Sequence, residues 1–427
     1  MIQRIAFVTA DTGPGGASRA VCRLIGGLSS PNPSFSRYTL LAYGQSELGY
    51  ELLPPQLSLN PLIRRLQSKS NLLSTCRSWL TNQWEKQVLL PETKHQFFRS
   101  GTELDFSVSQ SLNSFDLVHF FWCQSYLNLS AVVSLDCPKL VTLHDMWFLT
   151  GGCAYSLSCQ GFTTGCFRCP NVQRRGQSRI RNQYKLKRNL LNRSDCHVVV
   201  TSHWMFRQAC QSGLDPHKIS IIPNYIPEHY CYLSSKTEYR NLLGWSNTLV
   251  SEQIILYFVG SPADPRKGFN LLVEALQLLS PHSLRRIALQ VLGSPFKKID
   301  QLEPLGIRYR SLGFMRDEFS QVVAYNAADF LICPSYFDNS PNVIAESLCC
   351  GLPALALPGT GGAEMLSHGE SGLIPENQSA YALSEVISII LSANYSFDRY
   401  AISRDARKTF GHSATCKKYE DLYRQLL

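Results

Sequence analysis

The sequence predicts an α/β protein of two doubly wound domains, and three observations lead to this prediction. The chain has 427 residues, more than one ordinary hydrophobic core organises. Signals for buried strands alternate with signals for helices in both halves, which is typical of parallel sheets covered on both faces. Two prolines and an asparagine interrupt the alternation between Pro223 and Glu228. We therefore predict one domain over residues 1–223 and a second over residues 224–427.

The first half opens with a β-branched strand at Arg4–Thr9, a glycine-rich loop, and a helix with apolar spacing at Ser18–Leu28. Later short apolar runs predict further strands: Asp116–Phe121, Lys139–Leu143, Cys196–Thr201 and Ile219–Ile222. The stretch from about Gly44 to Asp105 mixes prolines, serines and basic residues, and it predicts inserted helices and loops.

The second half repeats this alternation. Four strands are predicted: Gln253–Val259, Ile287–Leu292, Asp329–Cys333 and Ala354–Ala356. Three helices are predicted: Phe269–Leu279, Asn342–Cys350 and the terminal Cys416–Leu427. Open α/β sheets bind ligands beyond the carboxyl ends of their strands. We therefore expect the two domains to face a central cleft, and the chemistry to lie in the loops that follow strands.

The amino-acid composition indicates a globular protein. Hydrophobic residues make up 44% and charged residues 17%, as in globular proteins. No apolar run reaches the roughly 18 residues of a membrane-spanning helix. The apolar start runs into a glycine-rich loop without a cleavage site, so we read it as a buried strand and expect a cytoplasmic protein.

The net charge is +9, and much of the excess lies between Arg174 and Arg193. Two interpretations stay open for this segment. One is a surface that meets an anionic membrane or a lipid-linked acceptor, with the protein peripheral at the inner face of the membrane. The other is an ordinary solvated helix face. No helix-turn-helix or aromatic RNA-binding pattern accompanies the charge, so we do not expect a nucleic-acid partner.

Fifteen cysteines are many for this length. Most stand singly in apolar surroundings, as small core residues do. Four cluster instead in a glycine-rich loop near 151–170: Cys153, Cys159, Cys166 and Cys169. In a reducing compartment a metal explains clustered thiols better than disulfides do, and four thiolates can close a structural zinc site. The spacing is not that of a standard zinc ribbon, so free structural cysteines and a disulfide or redox role are the alternatives.

Two loops of the first domain are candidates for binding. Asp11–Arg19 is rich in glycine and precedes a helix, whose N-terminal N–H groups favour an anion. Ser18 breaks the Gly-x-Gly-x-x-Gly spacing of a dinucleotide fingerprint, so a structural tight turn fits equally well. Val141–Trp147 places His144 and the adjacent Asp145 at the end of an apolar strand, where a histidine can take part in chemistry; the alternative is a structural histidine.

Three loops of the second domain carry charges. Gly260–Gly268 follows a strand and contains the adjacent cations Arg266 and Lys267, which suit a diphosphate; the alternative is a solvated loop. Pro334–Pro353 contains Asp338 and Glu346 around the start of a helix, where Glu346 could accept the hydroxyls of a ribose. The alternative for Asp338 is a helix cap. Pro358–Glu364 is another glycine-rich turn before a predicted helix.

The order of these segments resembles the retaining glycosyltransferases of family 4, which have the GT-B fold. The resemblance rests on Arg266–Gly268, on Pro334 and Ser335 followed by acidic residues eight positions apart, on Cys350–Pro353, and on Gly361–Glu364. The segment His144–Cys153 and the cysteines that follow it are similar to a subgroup that builds bacterial exopolysaccharide and O-antigen chains. The resemblance covers nearly the whole chain outside about residues 45–110.

The resemblance implies transfer of a sugar from a nucleotide-diphosphate donor, UDP- or GDP-linked, to a glycan or lipid-linked acceptor with retention. It implies catalytic roles for His144, Arg266, Lys267 and Asp338. It implies donor contacts for Gly15, Gly16, Arg266, Lys267, Asn339, Asn342, Val343 and Glu346.

In this reading the two cations neutralise the diphosphate, Glu346 holds the ribose, and Asp338 and His144 contact the donor sugar. Gly15 and Gly16 let the first loop approach the diphosphate and the acceptor. No cofactor is implied for catalysis, and no Asp-x-Asp metal motif stands out at a strand end.

Two positions depart from the family pattern. Asp338 is one methylene shorter than the usual glutamate, and Tyr225 stands where the family often has glycine. The first departure motivates one alternative, a non-catalytic GT-B protein that binds within a polysaccharide assembly complex. A nicotinamide-dependent oxidoreductase would need the fingerprint that Ser18 breaks.

Overall fold

The computed structural model divides the chain into two compact units. Unit 1 comprises Met1–Ile222 and Lys418–Leu427, and unit 2 comprises Pro223–Lys417. The structure describes residues 4–9, 15–29, 37–42, 112–124, 128–245, 253–258, 264–293, 297–392 and 396–427. The irregular stretch predicted for Gly44–Asp105, the first loop before Gly15, and Gly260–Ala263 lie outside these ranges.

The sheet of unit 1 has six strands, all parallel, in the order β2-β1-β3-β4-β5-β6. The strands are β1 Arg4–Thr9, β2 Arg37–Ala42, β3 Leu117–Phe120, β4 Lys139–Leu143, β5 Cys196–Val200 and β6 Ile219–Ile221. Strands β1, β3 and β4 are buried along almost their whole length because helices cover both faces of the sheet.

Five helices are described in unit 1 before its last strand: α1 Gly16–Leu28, α2 Leu129–Val133, α3 Gly161–Thr164, α4 Gln177–Asn192 and α5 His203–Gln211. Helix α1 buries Val21, Leu24 and Leu28, which recur at helical spacing on one face. Asn128 and Ser202 accept hydrogen bonds from the first turns of α2 and α5, so polar caps fix where these two helices begin.

The sheet of unit 2 also has six parallel strands, in the order β12-β11-β10-β7-β8-β9. The strands are β7 Gln253–Phe258, β8 Ile287–Leu292, β9 Arg308–Ser311, β10 Phe330–Cys333, β11 Ala354–Ala356 and β12 Gly372–Leu373. Read from β9, this is the order 3-2-1-4-5-6 of dinucleotide-binding sheets. The order reverses between β7 and β10, and such a switch point opens a crevice beyond the carboxyl ends of the two strands.

The helices of unit 2 are α6 Lys236–Leu242, α7 Phe269–Gln277, α8 Pro281–Arg285, α9 Glu318–Ala327, α10 Asn342–Cys349, α11 Ala380–Leu391 and α12 Arg399–Phe410. Two apolar clusters hold this unit together. One joins Leu272, Leu289 and Ile387 from α7, β8 and α11, and the other includes Leu331 and Leu348 from β10 and α10.

The terminal helix differs from the prediction. Helix α13 spans Cys416–Leu426, and from Lys418 onward it belongs to unit 1 rather than to the second domain. Tyr423 hydrogen-bonds to buried His119 at 2.9 Å, and Tyr419 hydrogen-bonds to Thr142 at 3.2 Å. Two aromatic side chains with polar tips thus attach the helix to strands β3 and β4.

Within the described ranges, the predicted strands and helices that the structure contains have bounds within one or two residues of the observed ones. Along the chain, the first part of unit 1 ends at Ile222 and unit 2 begins at Pro223. The segment at Glu364 is a single 3-10 turn, Ala363–Met365, rather than the start of an α-helix. Strands β2, β9 and β12 were not predicted. Over the described ranges, no helix combines the length and apolar character that a membrane crossing requires.

Candidate functional site

The switch point of unit 2 brings two loops together. The turn after β7 runs from Asp264 to Gly268, and Asp264 shapes it by accepting a hydrogen bond from the Arg266 backbone N–H at 3.0 Å. The loop after β10 is tied to this turn, since the Tyr336 N–H donates to the Arg266 carbonyl at 2.8 Å. The two cations predicted from the sequence therefore lie beside the acidic loop.

Gly268 makes this close approach feasible. Its φ is +71°, and a Cβ placed there would lie 1.8 Å from the Pro334 carbonyl oxygen. Both the left-handed backbone and the absence of a side chain are needed at this position. Glycine at 268 therefore allows the Arg266–Lys267 turn to sit against the end of β10.

Lys267 and Asp338 form a salt bridge across the two loops. The Lys267 ammonium donates to Asp338 Oδ2 at 2.6 Å, and Asp338 is only 7% exposed. Burial alone would lower the pKa of Lys267, but the Asp338 carboxylate outweighs it and raises that pKa above its ordinary value. The site thus keeps a charged lysine next to a nearly buried carboxylate.

Arg266 is held on the same edge of the sheet. Its guanidinium forms a salt bridge with Asp264 and donates to the Phe337 carbonyl at 3.2 Å. Arginine at this place offers several donors in a fixed plane, which suits the oxygens of a phosphate.

Glu346 lies inside helix α10 and is 2% exposed. The Tyr325 hydroxyl donates to Glu346 Oε2 at 2.7 Å, so one carboxylate oxygen is fixed by a tyrosine that is itself fully buried. A carboxylate oriented in this way can accept the hydrogen bonds of two vicinal hydroxyls. The ribose contact expected for Glu346 stays a prediction.

Helix α10 begins at Asn342, with Pro341 at the N-cap and no side-chain capping bond. The capping role considered for Asp338 is therefore wrong, because the helix starts four residues later. Asn224 donates to Asn342 Oδ1 at 2.8 Å, which ties the start of unit 2 to this helix end. The first-turn N–H groups of a helix favour an anion.

The glycine-rich turn after β11 supports the same loop. Gly361 N–H donates to the Asp338 carbonyl at 2.9 Å. A Cβ on Gly361 would lie 1.5 Å from the Asn339 carbonyl oxygen, so glycine is required there too. The structure therefore collects the predicted residues Arg266, Lys267, Asp338, Asn339, Asn342, Val343 and Glu346 within unit 2, on the loops and helix that follow β7 and β10.

In unit 1, His144 follows strand β4 as predicted. Burial lowers the pKa of His144 to about 4, so its imidazole is neutral near pH 7. Asp145 shapes the turn, accepting a hydrogen bond from the Trp147 N–H at 2.8 Å and another from the Gln124 side chain. Asp145 thus fixes the strand end that presents His144.

Gly15 is the N-cap of α1, and Gly16 is the first residue of that helix. A Cβ on Gly15 would meet only Ser18 Oγ, at 3.8 Å. The described part of unit 1 therefore gives no packing reason for glycine at 15, and the role that we predicted for it stays a prediction.

The four clustered cysteines are reduced, and all of them line one cavity of about 20 Å³ in unit 1. Within the described ranges, however, no three His, Cys, Asp or Glu side chains are arranged to hold a metal ion as they stand. The structural zinc site therefore stays a prediction.

Three residues that bear on the site were not singled out from the sequence in these roles. Tyr325 contacts Glu346 across 21 positions of the sequence. Asn224 contacts Asn342 across 118 positions. Lys187 was read as part of a basic surface, but it is fully buried and donates to the Trp147 carbonyl at 2.6 Å. A lysine on a helix otherwise rich in arginine carries no sequence signal of burial.

Two family models match the chain. Residues 87–229 match the model described as glycosyltransferase family 4, and residues 253–393 match the model described as glycosyl transferases group 1. The matches are consecutive: the first ends seven residues into unit 2, and the second lies entirely within unit 2. Together they cover about two thirds of the chain.

One similar protein is the putative colanic acid biosynthesis glycosyl transferase WcaC of Escherichia coli K12. It is 24% identical over 330 residues, which cover 73% of this chain and 76% of the relative. An uncharacterized glycosyltransferase of Methanocaldococcus jannaschii, MJ1178, is 23% identical over 279 residues, or 56% of this chain and 75% of the relative.

Solved structures share the fold over the full length. HepE from Anabaena, solved in complex with UDP, has a TM-score of 0.65 at 16% identity and covers 99% of this chain and 100% of its own. WaaG, a glycosyltransferase involved in lipopolysaccharide biosynthesis, has a TM-score of 0.61 at 17% identity, with 98% and 99% covered. These likenesses show the GT-B fold.

Two Rossmann-like sheets, the consecutive family matches and the GT-B neighbours agree with one another. The chain belongs to the family 4 glycosyltransferases of the GT-B fold, and it is a glycosyltransferase enzyme.

Proposed function

We propose that unit 2 binds a nucleotide-diphosphate sugar, UDP- or GDP-linked, and that the enzyme transfers the sugar with retention. The Lys267–Asp338 pair at the switch point carries this proposal. It puts a charged cation where open α/β sheets bind ligands, next to an acid that can hold a sugar hydroxyl. The UDP and UDP-glucose complexes of HepE are consistent with such a donor.

Each residue then has a distinct part. Arg266 and Lys267 stabilise the charge that develops on the departing diphosphate, as preorganised donors do in other transferases. Glu346, fixed by Tyr325, accepts the ribose hydroxyls. Asp338 and neutral His144 contact the donor sugar. Asn339, Asn342 and Val343 line the helix end that meets the diphosphate, and Gly15 and Gly16 let the first loop approach it.

We infer that the acceptor is a glycan or lipid-linked glycan of a surface polysaccharide. The relative involved in colanic acid biosynthesis and the lipopolysaccharide enzyme WaaG support this class. The Asp338 departure motivated a non-catalytic alternative, but the salt bridge to Lys267 supports a role for the shorter carboxylate in donor binding.

Donor class is tested by calorimetric titration of UDP, GDP and their sugars into purified protein. We expect one nucleotide family to bind, and Glu346→Gln to weaken that binding. Glu385→Gln, an exposed glutamate on α11, is the matched control and should bind normally. Equal affinities for wild type and Glu346→Gln would remove Glu346 from the donor site.

Catalysis is tested by Lys267→Ala, with the exposed Lys408→Ala as its control. We expect severe loss of transfer in the first variant and none in the second. The anomeric configuration of the product, read by NMR, tests retention. We also expect added Mg²⁺ or Mn²⁺ to leave turnover unchanged. Binding of nucleotide sugar without transfer or hydrolysis in the wild type would favour the non-catalytic alternative.

We further propose a peripheral contact with anionic membranes through the exposed basic residues before and within α4: Arg174, Arg175, Arg179 and Lys185. Their charge would attract anionic lipid and would be screened by salt. Co-sedimentation with vesicles containing phosphatidylglycerol, at low and high salt, tests this contact. Unchanged binding after substituting these residues with glutamine would refute it.

A further inference from the structure

The loop 151–172 of unit 1 encloses a small cavity that the proposed transfer reaction does not use. The cavity has a volume of about 20 Å³, which is enough for one water molecule. Cys153, Cys159, Cys166 and Cys169 all line it, although they span 17 positions of the sequence. Four thiols around one small space are an unusual lining.

Hydrogen-bond donors point at three of the four sulfurs. The Gly151 N–H donates to Cys166 Sγ at 3.2 Å, and the Gly161 N–H donates to Cys159 Sγ at 3.4 Å. The Asn171 amide donates to Cys153 Sγ at 3.5 Å. A neutral thiol is a weak acceptor, whereas the partners around metal-bound ligands typically hydrogen-bond to them. These donors would stabilise negative charge on the sulfurs once a metal displaces their protons.

A buried lysine lies next to the loop. Lys187 is fully buried, with its ammonium 3.6 Å from the Trp147 ring centre. It donates to the carbonyls of Trp147 and Thr150, and Thr150 directly precedes the glycine whose N–H reaches Cys166. Burial lowers the pKa of Lys187, whereas four thiolates on a divalent ion carry a net charge of −2 and would favour the charged form of this lysine.

We propose that Cys153, Cys159, Cys166 and Cys169 bind one zinc ion that holds this loop together. Soft thiolates select zinc among the common divalent cations, and four of them complete its tetrahedral shell without an open position. Binding replaces four S–H bonds with four Zn–S bonds and releases four protons to solvent.

The donor set fits zinc in type and number but not yet in arrangement. In the described ranges no three side chains converge on a common point, so the thiols must turn toward the cavity that they already line. Rotation about a single χ1 torsion moves each sulfur between staggered positions. The sulfurs belong to reduced cysteines, so no bond has to break first.

The zinc would also brace the segment that carries His144, an inference that rests on the proposed function. The Met146 N–H donates to the Ala154 carbonyl at 2.7 Å, and the Thr150 hydroxyl donates to the Cys153 carbonyl at 2.7 Å. Two hydrogen bonds therefore connect the cysteine loop to the segment that follows β4. Losing the metal would loosen the position of His144 without touching the donor site of unit 2.

The test is the metal content of the full-length protein purified without chelator, measured by mass spectrometry of the elements. We expect about one zinc per chain in the wild type and less than a tenth of that in Cys153→Ser and Cys169→Ser. Cys210→Ser, on helix α5, is the matched control and should keep its zinc. If the serine variants fail to fold, Cd²⁺ titration of chelator-treated wild type replaces them. Thiolate-to-metal absorption in the ultraviolet should then saturate at one ion per chain.

Wild-type protein without zinc that shows no Cd²⁺ absorption would overturn the proposal, as would a disulfide within the loop found by peptide mapping. Zinc retained fully in Cys153→Ser and Cys169→Ser would place the ion elsewhere and would also overturn it. Metal content does not depend on transfer, so failure of the zinc site and failure of the proposed function are distinguishable.

Discussion

Substitution of Gly268 with alanine tests whether the close approach of two loops builds the donor site. An added Cβ would lie 1.8 Å from the Pro334 carbonyl oxygen, where ordinary contacts begin at 3.4 Å. The strand end would have to retreat by roughly 1.6 Å, the difference between these two distances. The left-handed backbone adds about 1–2 kcal/mol for a non-glycine residue. Forced overpacking typically adds about 1–3 kcal/mol.

We therefore expect Gly268→Ala to lower the unfolding free energy of unit 2 by about 2–5 kcal/mol. The matched control is Gly306→Ala, because Gly306 has φ +63° and open space around its Cβ position. The control should lose only the backbone contribution, about 1–2 kcal/mol. Urea unfolding curves of both variants, followed by circular dichroism, give the comparison.

The turnover of sugar transfer should fall when the turn that carries Arg266 and Lys267 is displaced. A shift of about 1 Å at a positioning residue can reduce turnover on the order of 100-fold, and Arg266 and Lys267 belong to the displaced turn. Transfer assays on the folded fraction of Gly268→Ala and Gly306→Ala measure this difference. Equal stability and equal turnover of the two variants would show that contact with Pro334 does not organise the site.

Other predictions concern single interactions. Tyr325→Phe removes the hydroxyl that fixes Glu346, and a hydrogen bond to a charged group contributes about 1.5–3 kcal/mol, so nucleotide affinity should fall roughly 10- to 100-fold. Calorimetric titration measures it, and unchanged affinity would mean that Glu346 needs no such support. His144 has a pKa of about 4 in the folded chain, below its unfolded value. Its contribution to stability is therefore complete above about pH 6.5 and is lost as the pH falls toward 4. Denaturant unfolding between pH 7 and 4.5 should show a smaller loss in His144→Asn than in wild type, and parallel curves would contradict the buried, neutral imidazole. Lys187→Met should lower the melting temperature because the Trp147 carbonyl loses a buried donor, whereas the exposed Lys185→Met should leave it unchanged.

The sequence was sufficient to predict strands and helices whose hydrophobic pattern lies within a few neighbouring residues. Buried parallel strands such as Lys139–Leu143 read as continuous apolar runs, and their bounds match the structure. The loops that follow them could be chosen as candidate sites because ligands bind at carboxyl ends of strands. Lys267 and Asp338 were found in this way, each on its own loop.

The structure revealed contacts between residues that lie apart in the sequence, and no local pattern predicts such contacts. The Lys267–Asp338 pair joins residues 71 positions apart, and Tyr325 reaches Glu346 from another helix. Tyr325 stands among apolar residues of α9 and looks like an ordinary core residue. Strand β9 was not predicted because its sequence, Arg308–Ser311, is polar and mostly exposed. Short edge strands of this kind carry little hydrophobic pattern.

The return of helix α13 to unit 1 has a consequence for how the chain is made. Unit 2 is one uninterrupted segment, so a ribosome delivers all of it before Lys418–Leu427. Unit 1 is split, and the tyrosines that contact His119 and Thr142 are synthesised after the whole of unit 2. The unit that begins first is thus completed after the second one, and its strands β3 and β4 receive their covering helix only then. A chain that stops before Lys418 would contain an intact unit 2 and an unfinished unit 1.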